Sequence, residues 1–309
     1  MKSLDVTSKE WPEAIRATPV RHPGRWVSIV AIGVVFAMAI HTVVKNPRFE
    51  WNLQSQYFFS AQILHGLRVT LELTVASMVI GAVLGISLAV MRLSPNPVVS
   101  ASAWFYVWAF RGTPLLVQLL IWANLGALFP TMSLGIPFGH EFVTRQTFTL
   151  IPGVAAALLG LGLNEAAYMA EIVRAGILSV GEGQVEAAAS IGMRRLMIMR
   201  RIVLPQAMRV IVPPTGNETI SMLKSTSLVA YVPYVELLFA TQNIYTRNYQ
   251  VMPMLIMASI WYLVITSILM LGQFYIERYY ARGTSRELPA TPIQRLRRRL
   301  DALEIYRAR

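Results

Sequence analysis

The residues of this 309-residue sequence best equipped to act chemically are charges set among apolar runs. Glu165, Glu171, Arg174, Glu218 and Lys224 each lie in or beside a stretch otherwise dominated by Ala, Gly, Leu, Val and Met. At bilayer depth a charge costs roughly 3 kcal/mol on insertion scales, so such a residue is expected to pair or to serve a path for a charged solute. Glu171 and Arg174 are three apart, share one helical face and read as a local pair. Glu218 and Lys224 read as interfacial. Glu165, about halfway down its run, is the candidate for meeting an ammonium group of a solute or an Arg of a partner. Asn217 and Lys224 join it as candidates for lining a pathway. Other chemistries are excluded by what is missing. There is no Cys, hence no disulfide and no thiolate ligand, and the four His do not cluster into a metal site. No nucleophile–base constellation is present. The phosphate-cradling pattern G-x-x-x-x-G-K-[S/T] is absent, so the chain has no obvious ATP site of its own.

The elements that must position these charges follow from composition. The chain is 55% apolar and 14% charged, against about 25% charged in an average soluble protein. A disordered chain is excluded, and one soluble core is a poor place to hide that many apolar side chains, which points to a polytopic membrane protein. Six runs are long enough to cross: Trp26 to Val44, Leu67 to Met91, a third ending near Phe129, Phe148 to about Ile177, roughly Val212 to Ala240, and about Met252 to Tyr275. The third contains a break candidate at Arg111-Gly112-Thr113-Pro114. The second is rich in Gly, Ala, Ser and Thr, which let helices approach closely. Pro130 to Gln146 reads as a polar loop. The net charge of +12 would fit nucleic acid, but its placement argues otherwise. With six crossings, 22 of the 28 Lys and Arg fall on the side of both termini, five fall opposite, and Lys224 lies within a span. That asymmetry puts both termini in the cytoplasm.

The most informative segment is the polar stretch after the fourth run. It reads Gly183-Gln184-Val185-Glu186-Ala187-Ala188-Ala189-Ser190-Ile191-Gly192, followed by Ile202-Val203-Leu204-Pro205-Gln206-Ala207. Val185 to Ser190 is a short Ala-rich helix. Gly192 suits the left-handed residue that closes a helix. A second short helix is expected from about Met193 to Val203, with Pro205 opposing simple continuation. The result is a compact helical knob with a small Ala surface, able to seat in a groove of another protein.

Here the sequence resembles the membrane subunits, or permeases, of bacterial ATP-binding cassette (ABC) importers. Their signature is Glu-Ala-Ala, three residues, Gly, nine residues, then Ile-x-Leu-Pro. This chain places Glu186, Ala187, Ala188, Gly192, Ile202, Leu204 and Pro205 at that spacing. The flanking stretches Ala167 to Arg174, Pro213-Pro214, Asn217, Lys224 to Leu228 and Arg111 to Gln118 resemble the polar amino-acid branch. The resemblance covers about residues 62–280.

It implies an all-α membrane protein with a type I ABC-importer-like transmembrane domain of about six helices, both termini cytoplasmic, in the bacterial inner membrane. Residues 1–25 form a cytoplasmic segment, and 26–62 an additional helix with a periplasmic connection. Residues 63–280 form the transporter domain with its signature loop at 183–207, and 281–309 a basic cytoplasmic tail. The implied function is a translocation pathway for a polar amino acid, without enzymatic activity of its own. Implied partners are ATPase subunits carrying ATP and Mg, a second permease subunit, an external solute-binding protein, the amino acid and membrane lipid, with no nucleic acid. The coupling loop would consist of Gly183, Gln184, Glu186, Ala187, Ala188, Gly192, Leu204 and Pro205. The chain itself binds no cofactor or metal. The competing reading is an ion-coupled secondary transporter, which would favour buried acid or His relays and broken helices in matching halves.

Overall fold

The computed structural model describes residues 23–136 and 139–280. Residues 1–22 and the basic tail at 281–309 lie outside them. The chain divides into two units, one ending at Glu50 and one beginning at Trp51.

In the first unit, α1 runs Pro23–Lys45, about 34 Å at 1.5 Å per residue, which suffices to cross a bilayer. Its hydroxyls are satisfied within the helix: Ser28 donates to the Gly24 carbonyl and Thr42 to that of Met38, each at 2.9 Å. A short 3-10 turn at Pro47–Phe49 follows, capped by Asn46.

The second unit begins with α2 (Trp51–Phe58) and α3 (Ala61–Arg92). Then come α4 (Pro97–Gly112), α5 (Leu115–Ala123) and α6 (Leu125–Leu128). Asn96 caps α4 by accepting from the Val98 amide at 2.9 Å, and Pro97 occupies the first turn, where its missing N–H costs nothing. Residues 130–136 and 139–146 are more ordered than the expected loop. They form an antiparallel hairpin of β1 (Thr131–Gly135) and β2 (Glu141–Gln146), pairing Met132 with Arg145 and Leu134 with Val143. Next are α7 (Thr147–Leu150), α8 (Gly153–Leu178), α9 (Glu182–Ser190) and α10 (Arg195–Ile198). A π turn at Met199–Val203 feeds α11 (Leu204–Ser225). After a 3-10 turn at Thr226–Tyr231 come α12 (Leu237–Asn248) and α13 (Val251–Tyr280).

The packing of α3 on α8 shows why the second run is rich in small residues. Gly81 lies against Glu165. An added Cβ at Gly85 would meet Met169 Cβ at 2.5 Å and the Ala166 carbonyl at 3.0 Å, and one at Gly162 would meet Ile80 at 2.7 Å. These distances leave no room for a side chain, so backbone approach sets the interface.

Two of the expected spans differ from the structure. The third is broken: α4 and α5 meet at 99° across Thr113 and Pro114. Proline disfavours the helical region for the residue before it, which ends α4 there. The freed backbone is satisfied by Gln118, whose Nε2 donates to the carbonyls of Phe110 (2.9 Å) and Thr113 (3.1 Å), and by Asn164, whose Nδ2 donates to Phe110 at 3.0 Å. The fifth run, read as 212–240, is not one helix. α11 begins eight residues earlier, at Leu204, and closes at Ser225. Pro205 sits in its first turn, where an amide is not needed, so the helix continues from the π turn instead of breaking. Among the described residues, four helices are long and apolar enough to cross a membrane, or five with the bent pair counted as one span. α11 is not among them: Arg209, Glu218 and Lys224, with its prolines, Gln206, Asn217, Thr215 and Thr219, leave it too polar.

The opposite end of α3 is fastened by a buried carboxylate. Glu236 is fully buried and caps α12, accepting from the amides of Leu238 (2.8 Å) and Phe239 (2.7 Å) and from the Tyr262 hydroxyl of α13 (2.9 Å). Thr70 of α3 accepts from the Leu237 amide at 3.1 Å, so three helices converge on one cap.

Candidate functional site

The knob predicted at 183–207 is built as two exposed faces on a small apolar core. Ala188 is buried and packs with Val180, Ile198, Val203 and Ala207. It is therefore part of the knob's interior, not of its presented surface. That surface comprises Gly183, Gln184, Val185, Glu186, Ala187 and Ile191, all exposed, with Ile191 78% accessible. Gly192 has φ +79°, and its amide donates to the Ala189 carbonyl at 2.9 Å, while the Met193 amide donates to Ala188 at 3.2 Å. This is the left-handed closure expected for a glycine after a helix. Leu204 and Pro205 are exposed at the first turn of α11.

The knob is joined to α11 through more than the chain. Gln206 donates from Nε2 to Gln184 Oε1 at 2.5 Å and to the Ile202 carbonyl at 3.0 Å. With the shared apolar core, this ties α9 to the start of α11. At the same end of α8, Glu171 accepts from Arg174 Nη2 at 2.8 Å and Nε at 3.1 Å. The sequence foresees that pair. It misses Arg92, whose Nη2 lies 3.5 Å from Glu171 Oε1 and adds the end of α3 to the cluster.

The three pathway candidates do not converge. Asn217 and Lys224 share one face of α11 with Ser221, and face a groove of about 340 Å³ bounded by Met270, Gln273, Phe274 and Glu277 of α13. Glu165 is not in that groove. It is 3% exposed, lies between α8 and Gly81 of α3, and its buried Oε1 has no hydrogen-bond partner. Glu165 and Glu218 of α11 are close enough to act on each other electrostatically, as are Glu218 and Arg111. The Arg111 guanidinium also stands 5.1 Å from the ring centre of Tyr168. Sequence reasoning missed Gln118, Asn164 and Gln273. Each is an amide inside an otherwise apolar run, and that incongruity was the available signal.

Residues 81–282 match the family model for the inner-membrane component of binding-protein-dependent transport systems. The chain belongs to this family. An arginine transport system permease of Corynebacterium glutamicum is 48% identical over 287 residues, covering 92% of this chain and 89% of the relative. An octopine transport system permease of Rhizobium radiobacter is 38% identical, covering 72% and 85%. A crystal structure of an amino acid ABC transporter with histidines superposes with TM-score 0.61 at 34% identity, covering 73% of this chain and 97% of that one. The inner-membrane component is thus a multi-pass subunit of the transport apparatus, with the type I importer fold expected from the sequence. The knob at 183–207 combines an exposed small-residue face with side-chain and core contacts to the start of α11.

Proposed function

We propose that this chain is the permease of an ATP-driven importer of a cationic amino acid, and that α9 docks on a separate ATPase. The observation that carries the coupling half is the joint between α9 and α11, since force applied to the knob has a route into the membrane. The orientation that places the knob and both termini in the cytoplasm rests on the charge asymmetry. ATP and Mg would reside on the partner. An external solute-binding protein would deliver substrate, and a second permease subunit would complete the pathway. One feature supports the last point: Asn217, Ser221 and Lys224 form an exposed polar stripe on α11, and lipid would be a poor neighbour for it.

For the substrate, Glu165 supports a cation. Its buried oxygen has no hydrogen-bond partner and the Glu218 carboxyl is near, so a cationic group would find two acidic acceptors there. The arginine and octopine relatives transport molecules that carry a guanidinium group. The expected result for Glu165→Gln is a rise in the KM for arginine uptake by the reconstituted transporter of about tenfold, equivalent to ~1.4 kcal/mol of lost cation binding. Assembly and ATP hydrolysis should be retained. An unchanged KM for arginine would remove Glu165 from the pathway.

A further inference from the structure

Directly beyond the knob, α11 has a weak point. Pro213 and Pro214 are adjacent and inside the helix. Neither has an amide hydrogen, so the two donors that would bond the carbonyls of Arg209 and Val210 in an unbroken helix are missing. A helix with two consecutive lost bonds bends there more easily than elsewhere. A push delivered at Leu204 would be absorbed at this point unless something braces it.

The brace comes from α13. Gln273 is 6% exposed, and its amide nitrogen Nε2 donates to the Pro213 carbonyl at 2.7 Å and to Glu277 Oε1 at 2.8 Å. The second bond, one helical turn along α13, fixes the Gln273 rotamer. Its oxygen Oε1 is buried without a donor and points at the backbone of Gly216. A Cβ at position 216 would collide with that oxygen and push the Gln273 amide aside, so the amide keeps this place only while position 216 is glycine. Leaving a buried amide oxygen unbonded costs about 1–3 kcal/mol. The arrangement accepts that cost to place the other end of the amide on Pro213.

We propose that Gln273 and Gly216 form a clamp that holds the Pro213–Pro214 segment of α11 against α13, so that movement of the knob is passed to α13 instead of being lost at the proline pair. Gln273 is a positioning residue on this account and need not touch the solute. The inference rests on the reading of α9 as the coupling element.

The test uses the full transporter, with its ATPase and solute-binding protein, in proteoliposomes. ATP hydrolysis and arginine uptake are measured together, and uptake per ATP is the readout. Gln273→Leu removes both hydrogen bonds, and Gly216→Ala displaces the Gln273 amide by one methyl group. Each is expected to keep hydrolysis while lowering uptake per ATP about fivefold to tenfold, the range for residues that transmit coupling. The double variant should be no worse than the poorer single one, because both break the same contact. Uptake per ATP within about twofold of the parent in both single variants overturns the clamp, as does a double variant whose loss is the product of the two. Gly192→Val is the control for the coupling reading alone. If it retains full uptake, that reading fails. If it uncouples while the Gln273 and Gly216 variants do not, only the clamp fails.

Discussion

Gly192→Val is expected to leave the protein inserted and the complex assembled, yet to remove most ATP-driven uptake. No atom lies within 4 Å of the Cβ position at Gly192, so valine meets no steric obstacle there. The effect comes from the backbone. At φ +79° an L-residue is strained by about 1–2 kcal/mol, and β-branched residues are the worst fitted. Relief of that strain opens the closure made by the Gly192 and Met193 amides, and α9 no longer turns back onto the core formed with Ile198 and Val203. Gly192→Asn separates strain from bulk, because asparagine tolerates the left-handed region. It should retain most of the uptake. The measurement is uptake by matched amounts of complex. Parent-like activity with valine, or asparagine as damaging as valine, would contradict the backbone account.

Glu236→Ala is expected to be the most destabilising single substitution outside the knob. It leaves the amides of Leu238 and Phe239 and the Tyr262 hydroxyl without the carboxylate they donate to, which is itself fully buried. Loss of an N-cap costs about 1 kcal/mol, and each buried donor left unpaired about 1–3 kcal/mol. With the two amides counted in the cap and the hydroxyl as the further donor, a total of about 2–4 kcal/mol is expected. Tyr262→Phe removes one of the three bonds and should cost about 1 kcal/mol. Thermal unfolding of the detergent-solubilised protein should rank parent, Tyr262→Phe, Glu236→Ala in falling order. Equal melting of all three would show that the cap contributes nothing.

Much of the fold could be read from the residues because membrane crossings and helix closures are local. Gly192 announced its own left-handed turn, and the small residues of α3 announced close packing that Gly81 and Gly85 realise. Glu171 and Arg174 could be paired by spacing alone. The misses are tertiary. Pro205 looked like a break, yet a proline in a first turn starts a helix as readily as it stops one, and which occurs depends on the preceding π turn. Ala188 looked like surface because an Ala run has no intrinsic inside; Val180 and Ile198 decide it. Gln118, Asn164 and Gln273 act on carbonyls 5 to 60 residues away in sequence, and no local pattern points to those partners. The separation of Glu165 from the groove of Asn217 and Lys224 likewise depends on how α8 and α11 face one another.

The central claim is that this chain, lacking an ATP site, is driven through the exposed face of α9. Its cysteine-free sequence allows a direct test. Ala187 is exposed on that face, and Ala187→Cys introduces a single thiol. With one cysteine placed in the surface cleft of the partner ATPase, a short bifunctional maleimide should join the two subunits in the assembled transporter and arrest uptake. Full ATP-driven uptake with no cross-link at any cleft position would contradict the account.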